Sequence, residues 1–191
     1  MPQFDLRGIK VAKYINTNGT ITHSDVTAVG DAMNVDIQLR FAEGRLYAES
    51  TLAEYMRKAT GGTISIGVKY IPSAAQKLMF GAQDSSTTVG TATVSGLKYG
   101  AKDEAKNVSV AFYAPDMVDG AQKYCCVLIN RALFGLPGMT LQTAGENIVF
   151  NTPTTTGEFM ADHTTGQQML EIAFADTEAE ATGWITAKLG S

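Results

Sequence analysis

The residues able to do chemistry in this chain are few and scattered. The histidines, His23 and His163, sit in separate polar segments. A nucleophilic triad places a histidine between a nucleophile and an orienting carboxylate. Asp162-His163-Thr164 matches that need only in residue type and reads as a turn. The cysteines are neighbours, Cys125 and Cys126, in YCCVLIN. Adjacent strand residues point to opposite faces, so a disulfide between them needs distorted geometry, and they read as small apolar fillers. Glu49 with Glu54, and Glu178 with Glu180, are the carboxylate pairs a glycosidase would use, but no aromatic platform surrounds them. GxGxxG, GxxxxGK[ST], GxSxG and HExxH are all missing, and two histidines without nearby cysteines make a poor metal set. With no convergent set, the expectation is a protein that is not an enzyme and holds neither metal nor cofactor.

The totals point the same way. The chain has 191 residues, 45% of them hydrophobic and 18% charged, which suits one domain over residues 1–191 with a substantial core. So thinly charged a surface is often partly covered by other subunits. Acidic residues number 19 against 15 basic, for a net charge of -4, and no block of Lys or Arg occurs. That disfavours gripping nucleic acid by its phosphates but allows nucleic acid to slide past. The opening MPQFDLRGIK lacks the basic and apolar regions of a signal peptide, and no run reaches membrane-span length. The expectation is a chain made in the cytoplasm, without a membrane anchor.

The elements are organised around residues 34–71. Val35, Ile37, Leu39 and Phe41 alternate with Asn34, Asp36, Gln38 and Arg40, and Ile64, Ile66, Val68 and Tyr70 alternate with polar neighbours. Period two predicts strands with one wet and one dry face. Between them, 42–61 reads as an excursion from the sheet towards a partner. Elsewhere, 8–15 predicts a strand closed by a turn over 16–19, and Pro72 opens a helix over 73–80 that Gly81 stops. Residues 83–93 read as an exposed loop or weak edge. The strand over 107–113 is expected to stop at Pro115-Asp116, and 122–134 is apolar enough for burial on both faces. Strand material follows over 140–150, a turn over 153–157, a strand over 168–174, and a helix start where Thr177 and Glu180 form a capping box. The fold class is mainly β, a sandwich or barrel with helical decoration.

Several stretches carry a resemblance. Gly8-Ile9-Lys10-Val11-Ala12-Lys13, Gly44-Arg45-Leu46-Tyr47-Ala48-Glu49 with Leu52-Ala53-Glu54, Gly61-Gly62-Thr63-Ile64-Ser65-Ile66-Gly67-Val68, Val108-Ser109-Val110-Ala111-Phe112 and Phe150-Asn151-Thr152-Pro153-Thr154-Thr155-Thr156-Gly157 are similar to segments of the major tail protein family of long-tailed bacteriophages, the subunit of the tail tube. The LYA-E-LAE-GGTISIGV stretch is the specific one. The chain departs from the family pattern at Lys69 and in LYAES.

The resemblance implies a β-sandwich or barrel-like tail-tube fold with one flanking α-helix, at 73–80, and a long extended arm, at 42–61, that is disordered in the monomer. Copies would form hexameric rings that stack into a tube whose lumen conducts viral DNA without sequence-specific binding. The implied partners are further copies, a tape-measure protein, and tail-tip and tail-terminator proteins, in a virion tail assembled in the bacterial cytoplasm. Inter-subunit contacts fall to Leu46, Tyr47, Glu49, Leu52, Glu54, Tyr55, Arg57 and Lys58, and lumen-facing candidates are Asp36, Gln38, Thr63 and Ser65. Kept beside this reading are a tube of a related injection or secretion particle, a capsid-decorating β-sandwich and, last, a jelly-roll enzyme.

Overall fold

The computed structural model describes residues 5–49, 51–118, 120–139, 143 and 152–190. The expected strands over 140–150 and the Phe150-Asn151 end of the resemblance lie outside them. Alternating residues make β1 (Arg7–Thr17), β2 (Thr20–Ala28), β3 (Ala32–Ala48) and β4 (Thr51–Val68), followed by helix α1 (Ser73–Phe80). Then come β5 (Gln83–Val89), β6 (Ala92–Lys98), β7 (Val108–Val118), β8 (Ala121–Phe134), β9 (Thr154–Phe159), β10 (Leu170–Ala175) and helix α2 (Glu178–Leu189). The large sheet is antiparallel in the order β2-β1-β7-β8-β9-β4-β3, with β10 also on β8, while β5 and β6 form a separate hairpin. The mainly β, sandwich-like architecture matches the sequence reading.

The sheet closes around one main core. Ile64, Ile66 and Val68 of β4 meet Ile9 and Val11 of β1, Val108, Val110 and Phe112 of β7, and Ala75, Leu78 and Met79 of α1. On the other face of β7 and β8, Tyr113, Cys126 and Leu128 pack against Ala181, Ile185 and Leu189 of α2. Both faces of β8 are thus covered, as its continuous apolar run requires. Cys125 and Cys126 are buried free thiols, and burial pushes the Cys126 thiol up to about 11. Trp184 packs against the edge of the α2 cluster.

Two helices flank the sheet rather than one. α1 has its predicted bounds and ends on Gly81 in the left-handed region at φ 75°. α2 starts with the predicted capping box, in which the Thr177 hydroxyl accepts from the Glu180 amide and the Glu180 carboxylate accepts from the Thr177 amide. Arg7 and the Tyr113 hydroxyl both donate to Glu178, tying α2 to β1 and β7, and they lower the Glu178 pKa, the Tyr113 bond most.

Three local expectations are corrected, and one stretch for which no element was expected is a strand. The polar stretch before Gly30 is strand β2, joined to β1 by an Asn18-Gly19 turn with both residues at positive φ. Residues 83–98 form the β5–β6 hairpin, whose hydroxyl-rich faces are both wet and so show no alternation. β7 runs past Pro115 to Val118, because β1 pairing ends at Tyr113 and a missing N–H on that side forfeits no ladder bond. Residues 153–157 do not make a turn. Thr154–Phe159 is strand β9, its residues alternately exposed and buried.

Asp116 is a cost the fold carries. It is fully buried, directly opposite Lys123, and neither carboxylate oxygen has a hydrogen-bond partner among the described residues. Lys123 instead reaches Asp176 at 2.6 Å. A buried polar group left unpaired costs about 1–3 kcal/mol. Asp116→Val is therefore expected to raise the unfolding free energy by about 1–3 kcal/mol, read as a higher urea midpoint with the slope of the transition unchanged.

Candidate assembly surface

The strands of 34–71 pair with each other over their whole length, from Ala32↔Val68 to Ala48↔Thr51. β9 supports β4 only from Gly62 to Gly67. Beyond Gly61, residues 41–59 therefore leave the body as a two-stranded ribbon to which no further strand is paired among the described residues. This corrects the expectation of a disordered arm. A ribbon without a core beneath it has no dry face, so its strands lack the alternation that reveals strands elsewhere.

The root of the ribbon is fixed by close packing. Gly62 lies opposite Phe159, and a Cβ at Gly62 would sit 2.5 Å from the Phe159 ring and 2.2 Å from the Gln38 carbonyl oxygen. One strand over, Gly157 lies opposite Phe134, with the ring 2.7 Å from where its Cβ would be. Phe134 and Phe159 are both 2% exposed, each lying over the glycine of its neighbouring strand. Register irregularities beside Arg40 and Leu46 add local twist along the ribbon.

Every proposed contact residue lies on this ribbon and is exposed. The register divides them between two faces. On one, Arg45 opposes Tyr55, Glu43 opposes Arg57 and Tyr47 opposes Leu52. Glu43 takes ion pairs from Arg45 at 3.3 Å and Arg57 at 3.4 Å, and Arg57 lies 3.8 Å from the Phe41 ring centre. Glu43 also raises the Tyr55 pKa. On the other face, Leu46 opposes Glu54, Gly44 opposes Met56 and Ala42 opposes Lys58. Leu46 is 58% exposed and Met56 74%. Among the described residues Glu49, Glu54 and Lys58 make no ion pair. Met56 is a large exposed side chain of the ribbon that sequence reasoning passed over. Its cross-strand place opposite Gly44 becomes visible only once the register is known.

The lumen candidates come together as well. Asp36 opposes Ser65 and Gln38 opposes Thr63, with Gln38 Nε2 donating to Asp36 at 2.8 Å. β9 extends the row, placing Thr156 beside Ser65 and Glu158 beside Thr63, and Arg40 pairs with Glu158 at 3.2 Å. This polar face backs the buried Ile64 and Ile66.

The histidines take part in packing. The Ser109 hydroxyl donates to the Asn130 carbonyl at 2.6 Å and so accepts from His23 Nε2 at 2.8 Å. Ser109 is fully buried, with its proton on the Asn130 carbonyl. Arg131 donates to His163 Nε2, which leaves Nδ1–H to donate to the Tyr14 hydroxyl. Asp162 accepts from the Thr164 and Gln168 amides, making the predicted turn. Among the described residues no group of His, Cys, Asp and Glu is arranged to hold a metal ion.

Burial lowers the His23 pKa from its ordinary 6.5, against a backbone hydrogen bond at Lys188 that raises it. The unfolded chain then binds the proton first. The stability tied to neutral His23 is fully present above about pH 6.5 and is lost as pH falls below it. Between pH 7 and 5.5 the wild type is expected to lose more stability than His23→Gln, measured as the pH slope of the urea midpoint.

No family model matches the chain, and no curated protein matches it. No helix among the described residues is long and apolar enough to cross a membrane.

Proposed function

We propose that this protein is a structural tube subunit of the kind found in the tails of long-tailed bacteriophages, forming stacked hexameric rings around a lumen that passes DNA. The observation that carries this reading is the ribbon over 41–59, which projects from the body with Tyr47 60%, Leu52 52%, Tyr55 49% and Met56 74% exposed. Large apolar side chains held out on a paired scaffold need a partner surface. The ordered ribbon removes one expected mark of such subunits, an arm disordered before assembly. In its place the support comes from Glu49, Glu54 and Lys58, which make no ion pair among the described residues, and from the exposed apolar side chains along the ribbon.

The sheet supplies a second support. β2, β3 and β10 are its edges, each paired on one side only among the described residues. Open edges invite strands from neighbouring copies, and a ring closes them. The row of Asp36, Gln38, Thr63, Ser65 and Glu158 would then face the lumen as a surface without unpaired cations. Phosphates slide over such a surface rather than bind it. Tape-measure, tip and terminator proteins would complete the particle, and no chemistry is assigned to the chain.

The test is light scattering coupled to size exclusion across a concentration series. Masses at multiples of six chains support the reading. A single-chain mass at every concentration overturns it.

A further inference from the structure

We propose that the ribbon of one copy docks, by the face carrying Leu46, Glu54, Met56 and Lys58, into the depression between β2 and α1 of a second copy. This rests on the tube-subunit reading and names the surface that the ribbon meets.

The depression holds about 420 Å³ and is lined by Asp25, Val26, Ala74, Lys77, Leu78 and Lys106. Its apolar members include Leu78, which belongs to the main core. Lys106 makes no ion pair among the described residues, while Lys77 is engaged by Asp84 at 2.6 Å. Asp25 supplies the opposite charge, its carboxylate accepting only from the neighbouring Ser24 hydroxyl among the described residues.

The docking face of the ribbon carries the complementary pattern. Leu46 and Met56 match the apolar lining, Glu54 matches Lys106, and Lys58 matches Asp25. Glu54 and Lys58 lie about 13 Å apart along their strand, so they address different groups on the rim. The opposite face of the ribbon offers this charged rim little, because Glu43, Arg45 and Arg57 already satisfy one another, and its exposed Tyr47, Leu52 and Tyr55 are left for a further apolar contact.

The occupant is another copy, because one chain carries both matching halves, Glu54 and Lys58 on the ribbon and Lys106 and Asp25 at the depression. Ribbon into depression is a head-to-tail contact, which propagates from copy to copy instead of closing as a two-fold dimer.

Two variants with one added cysteine each, Glu54→Cys and Lys106→Cys, are mixed under mild oxidation, the native thiols being buried. Disulfide-linked dimers are expected at about tenfold the yield of either variant alone. Separately, Glu54→Lys and Lys106→Glu are each expected to weaken assembly about tenfold or more, and the double variant to restore it, since like charges repel and swapped ones attract. A wild type that assembles, with no excess cross-link in the mixture and no rescue, overturns the docking but leaves the tube reading. A wild type that never assembles overturns both.

Discussion

Replacing residues 43–57 by an Asn-Gly turn that joins Ala42 to Lys58 is expected to abolish assembly and leave a folded, monomeric body. Ala42 and Lys58 are directly paired, so a two-residue turn can close the shortened hairpin. The removed residues belong to neither core cluster, so the body should lose little stability. Their exposed tyrosines, leucines and methionine carry the proposed contact, so the effect on assembly should be all or none. Sedimentation velocity with a urea melt on the same variant separates these effects. Assembly that survives the truncation removes the ribbon from the account, and a collapsed melt shows the ribbon to be part of the core.

Phe159→Ala is expected to cost about 3–5 kcal/mol, the range for emptying a buried aromatic site. In a chain of this size that lowers Tm on the order of 10 °C. Phe159 fills the space over Gly62 at the root of the ribbon, where β4 and β9 pair for the last time. No smaller side chain can fill that space without moving β9, so the loss should exceed that of Leu133→Ala, a 39% exposed residue nearby. Thermal melts of the two variants check both magnitude and order.

Much of the fold was legible wherever one side of an element is dry. Ile64, Ile66 and Val68 alternate because their polar neighbours face water, and α1 and the capping box of α2 have local signals that tertiary packing did not override. The signal failed where both faces are wet. The ribbon and the β5–β6 hairpin are strands without a core, and β2 is a half-exposed edge, so neither periodicity nor apolar content marks them. It failed again where tertiary neighbours license an exception, as at Pro115, which has lost its β1 partner, and at Gly157, which makes room for Phe134.

For the candidate surface, sequence reasoning picked out the segment and the polar residues Asp36, Gln38, Thr63 and Ser65, which the register brings together, but not the division of the ribbon into two faces. That division rests on the pairing of Arg45 with Tyr55 and Leu46 with Glu54, a matter of register, and register is set by a turn and bulges that residue types alone do not announce. It decides which charges are already satisfied and which remain for a partner.

The central claim is that this chain builds tubes through its ribbon. Negative-stain electron microscopy of the purified wild type at high concentration, beside the ribbon-truncated variant, tests it most directly. The account predicts rings or tubes with a central hole for the wild type and dispersed single particles for the variant. Dispersed single particles from both would contradict it.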